Sequence, residues 1–312
     1  MSSIVIIGEL NLDFIVTGAP RLPEPGEEVI VSGMELTLGS SSAILAAQLA
    51  RLGDDVLFIS KVGADEFGSK ALESLRAKGV STDAVAVVPS QPTGLTISIA
   101  VGTERAMLTQ LGCIEEMRWE DVDFERLRGR QHLHISSFYL QRNLRPGIGR
   151  AFEQAKRRGM STSLDTGWPS DEETNGDLAA VWPHLDVFLP NEAEAKLLAR
   201  RATVDEALSA LSARVFTTVV KMGAKGAVAR QRGRVWRRSA FAVDPVDTTG
   251  AGDSFNGGFL HGYLEGWDME ACLDLGNACG ALSTRAAGGT SSHATLKEAL
   301  ELVRTGPRRE LD

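Results

Sequence analysis

Residues 244–262 read DPVDTTGAGDSFNGGFLHG, and the reading of this stretch decides the architecture. Turn residues open it, Thr248-Thr249-Gly250-Ala251-Gly252-Asp253 follows, and small residues then lead into a helix carrying Phe255, Phe259 and Leu260. A Gly-Ala-Gly turn feeding a helix points several backbone N–H groups at one spot, where the helix dipole also favours negative charge, so the segment is an anion site. Asp253 at its mouth would repel that anion. The conflict resolves if Asp253 faces a second reactant and takes a hydroxyl proton while the N–H groups hold a phosphoryl group in transfer. The alternative is a helix N-cap, which Asp does well; Gly250, Gly252, Gly257 and Gly258 around it permit close approach and favour the first reading.

Outward from this segment, short β-branched runs at 4–7, 56–59, 133–135, 163–164, 187–189 and 217–221 predict buried strands. Segments 42–52, 66–78, 146–158 and 191–200 predict the helices between them, and 253–265, 269–285 and 296–303 a helical last third. The alternation gives a doubly wound α/β fold, a mostly parallel sheet with helices on both faces. Two places break it: 12–17 with 28–37, and 94–101 with 105–110, are strand-like with no helix inside either pair. These predict a small antiparallel sheet serving as a lid. The expected organisation is one domain over 1–312, with the lid formed by about 11–37 and 92–112 and a loose tail after Thr305.

With 41 acidic against 33 basic residues the net charge is −8, which argues against a nucleic-acid or anionic-membrane surface. Three cysteines (Cys113, Cys272, Cys279) make neither a disulfide framework nor a four-ligand zinc site. The N-terminal apolar run ends after four residues at Gly8 with no basic flank, and nothing reaches 18 uninterrupted apolar residues. A cytoplasmic protein without signal peptide or membrane span is expected. GADEFGSK at 63–70 has P-loop spacing with Lys and hydroxyl transposed, and His132 and His134 share a strand face without a third ligand. Both are read as ordinary structure.

The sequence resembles the ribokinase-like (PfkB-type) family of carbohydrate kinases. DTTGAGDSFNGGFL at 247–260 matches its C-terminal signature, and Asn11-Leu12-Asp13, LARLG (49–53), KVGADEFG (61–68), LPNEAEA (189–195) and KMGAKGA (221–227) stand in the family's order. The resemblance implies the doubly wound fold with a β-sheet lid, and ATP-dependent phosphorylation of a sugar or nucleoside hydroxyl. It makes Asp253 the catalytic base and the Gly250, Ala251 and Gly252 amides the anion hole. Asp13 resembles the residue that holds sugar hydroxyls, with Asn11 beside it and Gly39, Ser40 and Ser41 at the first helix start. Arg105, in the lid, is a candidate partner for an acidic sugar. Asn191 and Glu194 match an Asn-x-x-Glu motif acting on Mg²⁺ and phosphate; Lys221, Gly223, Lys225 and Gly226 resemble the loop beneath ATP, and Asn277 a residue of the adenine pocket. K⁺ beside the anion hole would involve Asp247 and the Thr249 carbonyl, and the family points to a homodimer through the lid. Two positions depart from the sugar-binding pattern: Ser40 stands where a second glycine is expected, and Ile44 where an asparagine is. A sugar kinase is the first expectation, with a nucleoside kinase or a non-catalytic sugar or nucleotide sensor as alternatives.

Overall fold

The computed structural model describes residues 1–101, 104–168 and 175–310. From β1 (Ser3–Ile7) the chain leaves for β2 (Asn11–Thr17) and β3 (Gly33–Leu38). It returns through α1 (Ser41–Leu52), β4 (Asp55–Gly63), α2 (Glu66–Ala77) and β5 (Ser81–Val88), then leaves again for β6 (Gly94–Val101) and β7 (Glu104–Gln110). β8 (His132–Ile135), α3 (Ile148–Arg157), β9 (Ser161–Leu164), α4 (Asn175–Val181), β10 (Val187–Phe188), α5 (Glu192–Ala199), α6 (Val204–Ser212) and β11 (Thr217–Lys221) follow. A hairpin of β12 (Ala227–Gln231) and β13 (Arg234–Arg238) precedes α7 (Ala251–Leu264), α8 (Met269–Ser283) and α9 (Leu296–Thr305).

Among the described residues the large sheet has nine strands in the order β13-β12-β11-β10-β9-β8-β1-β4-β5, parallel except for the β12–β13 hairpin at one edge. Each strand expected from sequence for this sheet is present, so the doubly wound reading holds. Alternate residues of β1 feed both cores: Val5 and Ile7 pack with Phe138, Phe152 and Phe188 on one face, Ile4 and Ile6 with Leu45, Phe255 and Phe259 on the other. His132 and His134 are core residues, as read. His132 bonds Ser161 and Ser163 at 2.7 and 2.6 Å, and His134 bonds Ser163 and Ser136 at 2.6 and 2.8 Å. Burial pushes both imidazoles down to about 3, so they are neutral.

The second sheet, β3-β2-β6-β7, corrects the expectation of an antiparallel lid: β2 and β6 pair in parallel. β2 leaves the C-terminal end of β1 and β6 follows that of β5, and those two strands run the same way in the large sheet, so their extensions meet side by side in one direction. β3 begins only at Gly33, later than the expected 28. The tail is not loose either. Arg308 makes a β-bridge with Phe241.

α7 and α8 pack at a glycine contact: a Cβ on Gly258 would stand 2.7 Å from the Leu275 carbonyl oxygen and 2.9 Å from Cys279 Sγ. Gly258→Ala should therefore cost about 1–3 kcal/mol, the usual range for overpacking. Urea unfolding of the two proteins checks this, and equal midpoints would refute the tight contact.

Candidate active site

Three parallel strands deliver side chains to one place at their C-terminal ends, where ligands sit in open α/β sheets. Asp165 follows β9, Asn191 follows β10, and Lys221 is the last residue of β11. Lys221 Nζ lies 2.5 Å from Asp165 Oδ2, and both groups are nearly closed off from solvent. Asn256 of α7 donates to the same oxygen at 2.6 Å and the Gly167 N–H to Oδ1 at 3.0 Å. Burial opposes ionisation of Asp165, but the Lys221 charge and these donors hold its carboxyl below the ordinary value. Lys221 is raised for the matching reason, with burial outweighed by the charges of Asp165, Glu194 and Asp253.

This pair forms part of the wall of a cavity of about 470 Å³, whose lining includes Ser41, Glu194, Ala251, Gly252 and Asp253. Gly250 caps α7 in the left-handed conformation at φ 72°, which brings the chain sharply into the helix. Ser254 N–H bonds back to the Gly250 carbonyl at 2.8 Å and Ala251 N–H to that of Thr248 at 3.3 Å. The Gly252 and Asp253 N–H groups belong to the first turn, whose donors have no intrahelical acceptor. Asp253 is thus the third residue of the helix, not its cap. Burial, then Asp165, pushes its carboxyl up to about 7, against the Lys221 charge and a hydrogen bond from Ser41. A side chain poised there can exchange a proton near neutral pH.

Asn191 and Glu194 form a capping box at the start of α5. Asn191 Oδ1 accepts from Glu194 N–H at 2.9 Å, and Glu194 accepts from Asn191 N–H at 2.9 Å and Nδ2 at 2.7 Å. Burial, then Asp165, pushes the Glu194 carboxyl up to about 7, opposed by Lys221. Three carboxyl groups therefore act on a single ammonium. That excess of acid suits a divalent cation. Among the described residues no three His, Cys, Asp or Glu side chains converge tightly enough to hold a metal alone; Mg²⁺ keeps waters and shares substrate phosphates, so it does not require such a cluster.

On the lid side, Asp13 of β2 accepts from Asn11 Nδ2 at 3.2 Å. Burial pushes its carboxyl up to about 6, with the neighbouring charges of Asp247 and Glu9 adding to the effect and Asn11 opposing it. A Cβ on Gly39 would stand 2.2 Å from Asp13 Oδ1, so only glycine leaves Asp13 its place. Ser40 has φ 66° yet carries a side chain; its hydroxyl donates to the Glu9 carbonyl at 2.7 Å and accepts from Ala43 N–H at 3.3 Å. Ser42 Oγ donates to Glu9 Oε2 at 2.6 Å. Ile44 packs on glycine backbone: a Cβ on Gly289 would meet it at 2.4 Å and one on Gly250 at 3.0 Å. The side chain of Arg105 lies outside the described residues.

Of the residues singled out from sequence, Ser41, Asn191, Glu194, Lys221, Gly223, Gly226, Ala251, Gly252, Asp253 and Asn277 share the cavity. Asn11, Asp13, Gly39 and Ser40 stand apart from it on the lid side, and Lys225 is exposed outside it. Asn277 spends its amide N–H groups on the Arg238 and Ser239 carbonyls, each at 3.2 Å. Asp247 ties the glycine turn to the 286–292 loop, accepting from Thr249 N–H at 2.8 Å and Gly288 N–H at 2.9 Å. Among the groups that went unread in the sequence are Asp165 and Glu9. Asp165 has no motif, and only its place after a buried run of β9 pointed to it. Glu9 is buried with donors from Ser42 and Ser137, and burial raises its carboxyl.

Residues 1–296 match the family model described as pfkB family carbohydrate kinase. The chain is 28% identical over 310 residues to the ribokinase of Haemophilus influenzae, covering 96% of this chain and 98% of that one. The solved ribokinase of Arabidopsis thaliana, complexed with ribose and ATP, superposes with a TM-score of 0.84 at 26% identity over 98% of this chain and 100% of that one. A ribokinase-like protein of Escherichia coli in complex with ATP and Mg²⁺ superposes with a TM-score of 0.87 at 25% identity, over 97% and 99%.

Asp253, Glu194 and Asp13 all hold their protons more tightly folded than unfolded. Between about pH 4, the ordinary carboxyl range, and about 7 these three groups then bind more protons in the folded chain than in the unfolded one, and their contribution to stability falls as pH rises through that window. Asp165, shifted the other way, loses its contribution only as pH falls below the ordinary range. His132, His134 and His293, held near 3, act with the opposite sign up to about pH 6.5, so the test is a difference: the melting temperature of Asp253→Asn relative to the unsubstituted chain should rise from about pH 4.5 to 7.5. A constant difference would contradict the raised value of Asp253.

Proposed function

Since this chain belongs to the pfkB family of carbohydrate kinases, phosphotransferases acting on alcohol groups, we propose that it transfers the γ-phosphate of MgATP to a hydroxyl of a small sugar, with Asp253 as the base. The observation that carries the reading is Asp253 itself: a buried carboxyl raised to about 7, at the first turn of α7, between Ser41 and the Lys221–Asp165 pair. In this reading Asp253 orients the substrate hydroxyl and accepts its proton as the oxygen bonds to phosphorus and the bond to ADP breaks. The turn through Gly250, Ala251 and Gly252 is the anion hole, with the Gly252 N–H the donor that the fold leaves unspent. Lys221 keeps Asp253 ionisable, and it lies close to the hole: a Cβ on Gly252 would be 3.7 Å from its Nζ.

Bound Mg²⁺ supplies neutralisation of charge on the transferring phosphates. Glu194 and Asn191 are the residues that would hold it, through waters, since the capping box already engages them. K⁺ would sit where the 248–250 turn meets the 286–292 loop at Asp247, with Asp247 and the Thr249 carbonyl among its ligands and the role of stiffening the Gly250 turn. Asp13 and Asn11 are proposed to hold the sugar. Thr37, opposite Asp13 in the β2–β3 register, is buried with its hydroxyl unpartnered among the described residues, and a sugar hydroxyl would satisfy it. The outer side of the lid leaves Ile30, Met34 and Leu108 exposed, and a second copy's lid is the proposed cover. A cytoplasmic enzyme is part of this reading, since that compartment supplies ATP.

Asp253→Asn should fold and bind ATP but lose at least ~10²-fold in kcat, the lower range for general acid–base groups. In the unsubstituted enzyme kcat/KM should rise with pH through about 7, because the base must be ionised. Sugar-dependent ADP release across pentoses, hexoses, keto-deoxy acids and nucleosides tests both. A nucleoside responding most strongly would make this a nucleoside kinase. Sugar binding without turnover would make it a sensor.

A further inference from the structure

We propose that the C-terminal segment is the outer wall of the nucleotide cavity and that Arg309 contacts the nucleoside end of bound ATP, with Arg308 and Asp274 as the residues that position it. The proposal rests on the reading of this cavity as the ATP site. α9 ends at Thr305, and the chain then runs back along residues 240–242. Ala242 N–H donates to the Pro307 carbonyl at 2.8 Å and Arg309 N–H to the Ala240 carbonyl at 2.9 Å, with Arg308 opposite Phe241. Ala240, Phe241 and Val243 line the cavity, and Arg309 lines it with them.

In an extended segment successive side chains point to opposite sides, and the two arginines divide accordingly. Arg308 turns into the body of the protein. Its guanidinium lies 4.4 Å from the centre of the Phe241 ring, 2.8 Å from Asp274 Oδ1, and donates to the Ser239 carbonyl at 3.1 Å. Asp274, almost wholly buried, also takes two bonds from Arg238, at 2.8 and 2.5 Å. One carboxylate on α8 therefore clamps both strands of the wall, while Asn277 one turn on holds the Arg238 and Ser239 carbonyls.

Arg309 turns the other way and has little to do there. Its one side-chain hydrogen bond reaches the Val243 carbonyl at 3.4 Å, and among the described residues no carboxylate pairs with it. An exposed guanidinium needs no such anchored platform to be solvated, whereas a nucleotide in the cavity would meet a donor-only fork at the rim. Its companions on this wall, Ala240, Val243 and Pro245, are apolar, and Phe241 of the same wall belongs to an apolar cluster on which Ala281 of α8 packs. That assigns Arg309 to purine and ribose acceptors rather than to the transferring phosphate.

Calorimetric titration of the enzyme with MgADP and with adenosine separates the possibilities. Arg309→Ala should weaken both by about tenfold, the worth of one charge-assisted hydrogen bond, and raise KM for ATP with no matching rise in KM for the sugar. Arg309→Lys should recover part of the loss. Arg308→Ala, which frees the tail, should give the same selective rise in KM for ATP. Equal affinities in Arg309→Ala and the unsubstituted enzyme would overturn the proposal, as would a loss confined to MgADP, which marks a phosphate contact. A drop in melting temperature of Arg308→Ala with KM for ATP unchanged would make the tail structural only. Failure of the unsubstituted enzyme to bind MgADP would instead sink the reading of the cavity.

Discussion

The site depends on one lysine serving three carboxyl groups. Lys221 gives its short contact to Asp165, and Asn256 and the Gly167 amide also donate to Asp165, so the carboxylate of this buried pair has donors on both oxygens, which makes its burial tolerable. Because those partners come from β9, β11 and α7, the pair also fixes the positions of three elements. Its satisfaction is what leaves Glu194 and Asp253 short of positive charge. Burial, and then the Asp165 charge, push both carboxyls up to about 7 against the remaining pull of Lys221. Had Lys221 paired with Asp253 instead, that carboxylate would be ionised at neutral pH and a weaker proton acceptor, and the argument for a base there would fail.

The capping box at α5 shows that structural and catalytic readings of one motif need not compete. Asn191 and Glu194 satisfy each other and the first turn of the helix, which fixes the Glu194 carboxyl at the cavity wall while each of its oxygens keeps a lone pair for water. A residue that acts through waters needs orientation more than reach. The cap provides it.

Much of this was legible in sequence because it is local. The glycine turn into α7, the Asn-x-x-Glu spacing and the β-branched runs are each set by neighbours within a few residues, and the structure keeps them. What escaped depends on partners far along the chain. Asp165 draws meaning from Lys221, 56 residues on, and Asn256, 91 residues on; alone it is an aspartate after a strand. The parallel β2–β6 pairing follows from where two excursions leave the large sheet, which no local pattern records. Residues 306–310 have the composition of a frayed end, and they are ordered by a bridge to Phe241 and a carboxylate on α8. Arg105, read as a lid contact, lies where no side chain is described.

The substitutions at the start of α1 bear on which substrate fits. Ser40 takes a backbone conformation suited to glycine and offsets that strain with bonds to Glu9 and Ala43, so its hydroxyl is not available to a sugar. Ser42 is likewise committed to Glu9, and Ser41 to Asp253. Ile44 fills the space against Gly250 and Gly289 with apolar atoms. None of the three serines replaces the expected asparagine as a free polar contact, so under the proposed function hydroxyl recognition would fall to the lid. Its face carrying Asn11, Asp13, Thr37, Thr96 and Thr109 is made of hydrogen-bonding side chains by the period-two alternation of its strands. A substrate chosen mainly by the lid is chosen only as the lid meets it. Under the proposed function, discrimination would be tied to closure of the lid, the step that would also exclude water from Asp253.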